Sequence, residues 1–454
     1  MNELLNFSVN QMSGLRYECR CGRNHNVDIE GIKIGPGVIG SLNQSMQRFT
    51  GSKVFLIEDR NTRMAAGDRV EAILKEEFEV CKHVFDDEHF IPNECAIGRI
   101  VVEIPEDTGL IVAVGSGSIN DTARFVSHKL HIPYIIVATA PSMDGYASVV
   151  SPLIVDGVKT TYSAVYPKMI IADTDVLKEA PMHMLHAGLG DILGKYTALA
   201  DWRISNILNG EYFCDSVEEL VLKTIEKCMG IALKIKDRNP ETVESIMEAL
   251  VLSGLAIGMV GASRPASGEE HHLSHCWEMV FMDRGIHTQW LHGNYVGIGA
   301  GIIIEAYRYL SSLDIKKVYE KGDYRYLDRD RWMNILSDVY GRNAKNVIRY
   351  KIGSMNFDTD VREKNMIKIM NNWDGIKYVC DDFLPDPETV RNALRESGAV
   401  YHPREVGIDR ELFRKSFIAA KDIRKRYGVL QLLEDIGELE AAADEIADIY
   451  YGRL

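Results

Sequence analysis

The sequence predicts an α/β domain followed by an all-helical domain, and two observations support this prediction. Short β-branched runs alternate with helical patterns over roughly the first 180 residues, which is typical of a parallel sheet with helices on its faces. From about Leu185 onward, the long apolar segments have helical spacing only. A chain of 454 residues is also long enough for two domains. We therefore predict domains at residues 1–180 and 181–454.

The strand pattern is clearest in five short runs rich in β-branched residues. They are KVFLIED (53–59), RIVVEI (99–104), LIVAVGSG (110–117), PYIIVATA (133–140) and MIIADTDVL (169–177). The segments 64–78 and 120–130, which lie between some of these runs, have helical spacing. In the second half, helices are predicted where apolar residues recur at i, i+3 and i+4. These segments are 217–236, 241–260, 295–310 and 410–450.

The composition excludes several classes of protein. The formal net charge is −14, and the basic stripe that a nucleic-acid surface requires is missing. No segment approaches the ~18 uninterrupted apolar residues of a membrane span. The N-terminal residues lack a basic segment followed by an apolar run, so we expect no signal peptide. Because the eight cysteines are scattered, we expect reduced thiols and a cytoplasmic enzyme.

A turn from strand to helix in VAVGSGSINDTAR (112–124) has the composition of a dinucleotide site. Gly115 and Gly117 let the backbone approach a pyrophosphate, which the N-terminus of the next helix stabilises. The spacing is neither a full G-x-G-x-x-G nor a Walker A loop, so a purely structural turn is the alternative. Ser116 fits such a turn only if its backbone needs no positive φ.

The end of the strand at 53–59 has acidic residues that suit an adenosine ribose. Glu58 and Asp59 can accept hydrogen bonds from the ribose hydroxyls, although many strands simply end in such residues. Acidic side chains there would repel a 2′-phosphate and so favour NAD. The neighbouring Arg60 leaves room for NADP.

Two further segments combine small residues with acidic side chains. ATAPSMDGYASVVSP (138–152) follows a strand and contains Asp144, so it is either a pocket lining or an ordinary polar loop. In HAGLGDILGKYTALADW (186–202), two glycines are predicted to break the chain. Asp191 would then open a helix, with Lys195 one turn later on the same face. An acid in a first helical turn is often only a partner of the helix dipole.

A cluster of histidines stands out in SGEEHHLSHCWEM (267–279). Ser267 and the glutamate three residues later have the spacing of a capping box, which predicts that a helix begins here. On that helix His271 and His275 share one face, while His272 points about 100° away. With His292 further along the chain, these residues form a candidate metal or proton-transfer site. A lone buried histidine, in contrast, usually has a structural role.

Asp191, His271 and His292 together provide one oxygen and two nitrogen ligands. Such a set leaves a coordination position open for substrate, as is expected of a catalytic Zn²⁺ or a similar ion. The long gaps between these residues mean that spacing alone does not establish their convergence. CRCGRNH (19–25) offers half of a second zinc site, but no complementary cysteine pair follows at the usual spacing. We therefore expect CRCGRNH to form an exposed loop or an edge strand.

The order of five motifs resembles the sn-glycerol-1-phosphate dehydrogenases. These enzymes belong to the superfamily of iron-containing alcohol dehydrogenase, glycerol dehydrogenase and 3-dehydroquinate synthase. The motifs are GSGSIND, TAPSMDGYAS, AGLGDILGK, SRPASGEEHHLSH and LHGNYVGIG. The resemblance covers residues ~30–310, and the form SRPASG-E-x-H-x-x-SH is typical of the glycerol-1-phosphate branch. The tail beyond about 330 carries no such motif.

The resemblance implies a dehydroquinate-synthase-like fold, with a Rossmann-like N-terminal domain and an all-α C-terminal domain. It implies that the divalent ion binds to Asp191, His271 and His292, and that Asp144, Asp191 and His275 contact the substrate. Asp191 and His275 are thereby the catalytic candidates, and His272 has no role in the pattern. The residues implied in dinucleotide binding are Gly117, Ser118, Ile119, Asn120, Asp121, Thr139, Ala140, Pro141, Ser142 and Ser148, to which we add Asp59 from its strand end.

The activity implied by the resemblance is the reversible reduction of dihydroxyacetone phosphate to sn-glycerol 1-phosphate by NADH or NADPH. The product would supply glycerophosphate for lipid synthesis. We expect the ion to be Zn²⁺. Ni²⁺ and Fe²⁺ are alternatives, because different members of the superfamily use different metals on the same types of ligand. The alternative activities are those of a polyol or glycerol dehydrogenase and of a dehydroquinate-synthase-like enzyme. A non-catalytic sensor that kept the fold is a more distant alternative.

The substrate phosphate requires positive charge or amide donors. Arg264, Lys159 and Lys195 are the candidates by charge and position, and Arg264 is preferred because its guanidinium can pair with two phosphate oxygens. We expect no partners other than small molecules. The apolar stripes of the late helices leave room for a homo-oligomeric surface.

Overall fold

A computed structural model describes residues 2–49, 51–87, 90–156, 158–322, 324, 326–354 and 357–453. The chain forms two compact units. The first unit consists of residues 1–192 and 215–263, and the second consists of residues 193–214 and 264–454.

All of the named strands lie in the first unit. They are β1 (Arg16–Glu18), β2 (Asn24–Asn26), β3 (Gly31–Gly35), β4 (Lys53–Asp59), β5 (Glu79–Phe85), β6 (Thr108–Gly115), β7 (Tyr134–Ala138), β8 (Val150–Val155), β9 (Val158–Ser163) and β10 (Met169–Asp173). Six strands form one parallel sheet in the order β3-β10-β7-β6-β4-β5. The pairs β1–β2 and β8–β9 are antiparallel two-stranded ribbons. The predicted α/β fold of the N-terminal part is confirmed.

Seven α-helices come before the first boundary between the units, and the last of them, α7, ends at that boundary. The α-helices up to that point are α1 (Leu42–Ser45), α2 (Arg60–Thr62), α3 (Asp68–Leu74), α4 (Glu94–Glu103), α5 (Gly117–Leu130), α6 (Thr174–Leu177) and α7 (Met182–Leu193). The next three are α8 (Lys195–Asn209) of the second unit, then α9 (Asp215–Ile231) and α10 (Pro240–Val260) of the first.

The remainder of the second unit contains α-helices joined by loops, and none of the named strands lies in it. Its helices are α11 (Glu269–Asp283), α12 (His292–Ser312), α13 (Ile315–Lys321), α14 (Arg329–Tyr340), α15 (Ala344–Lys351), α16 (Thr359–Asn371), α17 (Trp373–Tyr378), α18 (Pro387–Ser397), α19 (Arg410–Ala419), α20 (Val429–Asp435) and α21 (Leu439–Tyr451). Trp202, Trp277 and Trp332 are among its largest fully buried side chains. The prediction of a helical second half is therefore confirmed, although the segment 410–450 is divided into three helices.

Parallel strands that are covered on both faces have sequences that are continuous apolar runs, and the central strands of this sheet follow that rule. Every residue of β7 and β10 is buried. The carboxyl ends of β6 and β7 lie side by side, with Gly115 paired to Ala138. Ligands of open parallel sheets bind at this edge, so the two loops that begin here are the natural location for a dinucleotide.

One predicted strand is wrong. RIVVEI (99–104) forms the end of helix α4, which begins after Asn93, whose side chain accepts a hydrogen bond from the Ala96 amide at 2.9 Å. Ala96 and Ile100 are buried one helical turn apart, whereas Val102 is 85% exposed. The β-branched run misled the prediction because the burial of one helical face overrides a modest strand propensity.

The predicted chain break at the glycines of AGLGDIL is also wrong. Helix α7 runs without interruption through Gly188 and Asp191, so Asp191 lies near the end of a helix and does not open one. A Cβ atom at Gly188 would overlap the carbonyl oxygen of Pro141 and would lie 3.2 Å from Ile246 Cγ2. The glycine is needed for this close approach of the helix to the loop after β7.

Helix α10 is long and apolar enough to cross a membrane by length and composition alone. However, 72% of its most apolar window is buried inside the protein. A core helix passes the same test, so this feature does not establish a membrane span.

We expect Gly188→Ala to lower the free energy of unfolding by about 1–3 kcal/mol, because the added methyl group overlaps backbone that cannot easily move. Chemical denaturation followed by circular dichroism measures this change. Gly230→Ala is the matched control, because Gly230 is also helical but a Cβ atom there meets nothing within 4 Å. That control should be neutral or slightly stabilising, and an equal loss of stability in both variants would contradict the close-approach explanation.

Candidate active site

The turn between β6 and α5 places the start of a helix at the carboxyl edge of the sheet. Helix α5 begins at Gly117, and Ser116 precedes it with φ −107° and ψ −147°. The serine is therefore not in the left-handed region, which explains why glycine is not required at that position. The first amides of α5 and its dipole are available to stabilise an anion at the carboxyl edge of the sheet.

A buried arginine that the sequence analysis missed connects this helix to the next loop. Arg124 is fully buried. It donates hydrogen bonds to Asp121 Oδ1 at 2.9 Å, to the Val150 carbonyl at 2.8 Å, to Tyr134 Oη at 3.0 Å and to the Gly145 carbonyl. A signal was available in the sequence, because Asp121 and Arg124 have the i, i+3 spacing of an ion pair on one helical face. These bonds fix the loop after β7 against α5.

Asp121, which was predicted to bind the dinucleotide, is the ionic partner of this arginine. Burial raises the pKa of Asp121 to about 7, and the charges of Arg124 and Lys159 oppose that rise. Lys159 lies on β9 and is partly buried, so its charge acts within the same region of the first unit. Asp59, at the end of β4, uses Oδ1 to cap the short helix α2 by accepting from the Asn61 and Thr62 amides at 2.8 Å each.

The loop after β7 is packed and ordered by hydrogen bonds. The Thr139 amide donates to the Gly115 carbonyl at 3.1 Å, which joins the ends of the two neighbouring strands. Tyr146 Oη donates to the Ala140 carbonyl at 2.6 Å. The remaining predicted residues of this loop, Pro141, Ser142 and Ser148, are buried. The polar residues of this loop are thus part of an ordered, hydrogen-bonded segment at the carboxyl edge of the sheet.

Two predicted acidic residues meet in the first unit. Asp191 is fully buried on α7, and its Oδ2 accepts a hydrogen bond from the Asp144 amide at 3.0 Å. Asp144 Oδ2 in turn accepts from Ser253 Oγ of α10 at 3.0 Å. Ser253 was not predicted, since nothing near it in the sequence marks it as polar for a reason. A buried carboxylate is stable only with donors or a cation beside it, so Asp191 has the setting of a ligand or of a structural acid.

The histidine cluster lies at the start of α11 in the second unit. The helix begins at Glu269 after Gly268, so the predicted capping box of Ser267 is wrong. Glu270 instead accepts from the Gly268 amide at 2.7 Å and from Thr197 Oγ1 of α8 at 2.6 Å. Burial opposes ionisation of Glu270, but His271 and these donors hold the pKa of its carboxyl below the ordinary value.

Three imidazoles of this unit lie together. The ring centroids of His271 and His292 are 5.1 Å apart, those of His275 and His292 are 4.9 Å apart, and those of His271 and His275 are 6.3 Å apart. In each ring Nδ1 contacts a carboxylate. His271 Nδ1 lies 2.6 Å from Glu270 Oε1, while Glu278 lies 3.1 Å from His275 Nδ1 and 3.2 Å from His292 Nδ1.

These carboxylates fix the orientation of the rings. A histidine whose Nδ1 is held by a carboxylate coordinates an ion through Nε2, and the carboxylate increases its basicity. Ser274 Oγ also lies 2.9 Å from His292 Nδ1. Glu278 and Ser274 were missed by the sequence analysis, although both lie on α11 within one turn of a named histidine. One ligand atom each from His275, Glu278 and His292 lies within 4.8 Å of the others, so this trio also has metal-site spacing.

Arg264, His272 and Lys195 are each buried inside the protein. Arg264 is 4% exposed, and its guanidinium donates to both carboxylate oxygens of Glu211, at 2.8 and 2.5 Å, and to the Tyr427 carbonyl at 3.0 Å. Because an internal ion pair already occupies its fork, the assignment of Arg264 to the substrate phosphate is corrected. His272 is buried with Nδ1 2.7 Å from Glu269 Oε2, and burial holds the pKa of His272 well below its ordinary value. Lys195, at the start of α8, is also buried.

Comparison with known proteins agrees with these observations. Residues 33–181 match a family model described as iron-containing alcohol dehydrogenase. The chain is 33% identical over 436 residues to the glycerol-1-phosphate dehydrogenase (NAD(P)+) of Geobacillus thermodenitrificans. This alignment covers 95% of this chain and 98% of the relative. It is 37% identical over 309 residues to the enzyme of the same name from Halalkalibacterium halodurans, with 67% of this chain and 77% of the relative covered.

A solved structure supports the fold. The crystal structure of glycerol dehydrogenase from Schizosaccharomyces pombe aligns with a TM-score of 0.61 at 16% identity, covering 92% of this chain and 90% of that one. At such low identity the likeness shows the fold alone. The identity to the Geobacillus protein, which extends over nearly the whole of both sequences, shows that this chain belongs to the glycerol-1-phosphate dehydrogenase family.

Proposed function

We propose that this enzyme catalyses the reversible reduction of dihydroxyacetone phosphate to sn-glycerol 1-phosphate with NADH or NADPH. The proposal rests on family membership together with one observation, the trio of imidazoles whose Nδ1 atoms are held by buried or partly buried carboxylates. Small phosphorylated ketones are thus the substrate class. NAD is the preferred cofactor in this proposal, and the location is the cytoplasm.

We propose that Asp191, His271 and His292 hold a divalent ion, with Zn²⁺ preferred over Ni²⁺ and Fe²⁺. The donor chemistry fits such an ion. Asp191 is a buried carboxylate in the first unit, and His271 and His292 have their Nδ1 atoms engaged in the second, so each ring would bind through Nε2. When bound, the ion supplies Lewis acidity to the carbonyl oxygen and the nicotinamide supplies hydride.

The chain's own residues orient the ketone and supply the proton. Asp144, whose carboxylate is held by Ser253, would bind a substrate hydroxyl. Protonated His275 would donate a proton from Nε2 to the developing alkoxide, directly or through water. Glu278, 3.1 Å from His275 Nδ1, stabilises the imidazolium and aligns the ring.

The dinucleotide would lie along the carboxyl edge of the sheet. Its pyrophosphate would bind the amides at the start of α5, where Gly117 leaves room for the backbone to approach. Asp59 would accept from the adenosine ribose through the oxygen that does not cap α2. Lys159 replaces Arg264 as the proposed partner of the substrate phosphate, because it is only partly buried and lies near Asp121.

The direct test combines NADH absorbance with dihydroxyacetone phosphate as substrate and chiral analysis of the product. Net oxidation of NADH with formation of sn-glycerol 1-phosphate is expected. Faster turnover of unphosphorylated ketones would favour a polyol dehydrogenase. A reaction with no net change in NADH would favour a synthase-like enzyme, and binding of NADH without turnover would favour a sensor.

We expect Asp191→Asn, His271→Ala and His292→Ala each to remove one divalent ion per chain and to abolish turnover, because each loses a ligand. Metal content of the purified variants, measured by mass spectrometry, checks this. The control is His287→Ala, which replaces an exposed histidine of the same unit and should keep both the ion and the activity. Full metal content in any of the three variants would remove that residue from the ligand set.

We expect His275→Ala to keep the metal content of the wild type and to lower kcat by roughly 10²–10⁴-fold, as the loss of a general acid does. Glu278→Gln should keep the ion as well but shift the pH dependence of kcat, because it removes the charge that stabilises the imidazolium. Loss of the ion from both variants would instead assign the metal to the trio His275, Glu278 and His292.

We expect Lys159→Ala to raise KM for dihydroxyacetone phosphate at least tenfold while changing KM for unphosphorylated dihydroxyacetone little. The reason is that a lysine placed on a phosphate contributes only to the phosphorylated substrate. The comparison of the two KM ratios is the measurement. Equal changes for both ketones would move the phosphate site away from β9.

A further inference from the structure

The N-terminal segment of the first unit contains a small ribbon that carries metal-binding residues. Strands β1 and β2 pair with Tyr17 opposite His25, and the turn between them includes Cys19 and Cys21. The turn is closed by hydrogen bonds from the Cys19 amide to the Arg23 carbonyl at 3.1 Å and from the Gly22 amide to the Cys19 carbonyl at 3.0 Å. A ribbon of two three-residue strands has too little apolar area to be stable by itself.

The ligand atoms of this ribbon point to one another. One ligand atom each from Cys19, Cys21 and His25 lies within 4.8 Å of the others. Cys21 Sγ lies 3.5 Å from His25 Nε2. His25 is fully buried and Cys19 is 8% exposed, so the group is largely shielded from solvent.

The imidazole of His25 is oriented by the protein. Its Nδ1 lies 2.7 Å from the carbonyl oxygen of Met259 on α10, also in the first unit. Because a carbonyl can only accept, Nδ1 carries the proton and Nε2 presents its lone pair toward the cysteines. A backbone carbonyl on one nitrogen and a ligand on the other is the usual arrangement of a metal-binding histidine.

The residue immediately before α9 supplies a fourth donor. The Asn2 side chain donates a hydrogen bond to the Ser216 carbonyl at 2.8 Å. This bond fixes the start of α9 against the N-terminal segment that leads into the ribbon. Cys214, a buried thiol, precedes Ser216 by two residues and belongs to the same metal-binding group.

We propose that Cys19, Cys21, His25 and Cys214 bind a structural Zn²⁺ ion, separate from the ion of the proposed reaction. Three thiolates and one imidazole form a closed tetrahedral set that soft-ligand zinc sites use, with no position left for substrate. Cys19, Cys21 and Cys214 are thiols and not parts of disulfides. The ion would fasten the small ribbon to α9 and α10.

This site was not predictable by cysteine spacing. CRCGRNH was expected to form an exposed loop or an edge strand, because no second cysteine pair follows it at the usual spacing. The segment does form the turn and part of the second strand of a two-stranded ribbon, and most of its residues are exposed, but Cys19 and His25 are buried. The fourth ligand is a single cysteine far along the chain, immediately before α9.

Cobalt substitution of the full-length enzyme tests the proposal. Zinc is removed under reducing conditions and Co²⁺ is added, since cobalt bound by thiolates shows charge-transfer absorption that carboxylate and imidazole ligands do not give. The His271→Ala variant isolates this site from the proposed catalytic ion. We expect that variant to bind one Co²⁺ per chain with thiolate charge-transfer bands.

Cys21→Ser and Cys214→Ser, made in the same background, should lose these bands or reduce them by about a third each. Cys95→Ser is the matched control, because Cys95 is an exposed cysteine on α4 and should leave the spectrum unchanged. Should the site variants fail to fold, mercurial titration of folded His271→Ala protein gives the same information. One zinc ion per chain should then be released as three thiols react.

Absence of thiolate bands together with absence of zinc in the folded His271→Ala protein would overturn the proposal. The proposed dehydrogenase activity can fail independently of this result. If the bands are present but no ketone is reduced, the structural site stands and the reaction must be revised.

Discussion

Hydrogen bonds between carboxylates and histidine Nδ1 atoms are the constraint on which the candidate active site depends. Glu270 is fully buried, and a charge in that position is tolerated only because several donors surround it. Thr197 and the Gly268 amide supply two of them, and His271 lies 2.6 Å away. The same bonds that stabilise the buried carboxylate therefore fix which nitrogen of His271 faces a ligand.

Glu278 orients the imidazoles of His275 and His292 in the same way. Its two oxygens lie close to His275 and His292, so one carboxylate sets the orientation of both imidazoles. The two rings can nevertheless have different tasks. A metal ligand must be neutral, whereas a proton donor must be protonated, and a shared carboxylate accommodates either state. Two histidines that share one carboxylate can therefore take the different roles that we propose for them, ligand for His292 and acid for His275.

The sequence predicted those features that depend on short-range patterns. The strands β4, β6, β7 and β10 are continuous apolar runs, and the long helices α10 and α12 keep helical periodicity, so each could be located without knowledge of its neighbours. The turn between β6 and α5 was predicted from its glycines, and its backbone angles at Ser116 agree with the residue found there. The binding of a dinucleotide at this edge of the sheet stays a prediction, which the parallel order of the strands supports.

Several of the failures share one cause, which is that the deciding contact is distant in sequence. Arg264 was chosen as a phosphate ligand by its charge, but Glu211 engages it from another part of the same unit. The glycines of α7 were read as a break because the overlap with Pro141 is invisible in the sequence. Arg124 and Ser253 were overlooked for the same reason, since their partners lie in other elements.

The two proposed metal sites differ in donor chemistry, and this difference decides what each ion can do. Oxygen and imidazole donors, with only three protein ligands, leave a coordination position for a carbonyl oxygen and keep the ion a strong Lewis acid. Three thiolates transfer much more charge to the ion and close its coordination sphere, so an ion held by Cys19, Cys21, His25 and Cys214 can only hold the chain together. A ribbon whose strands are mostly exposed and that has almost no apolar core of its own is where such a cross-link has the greatest effect on stability, because there is little else to order it.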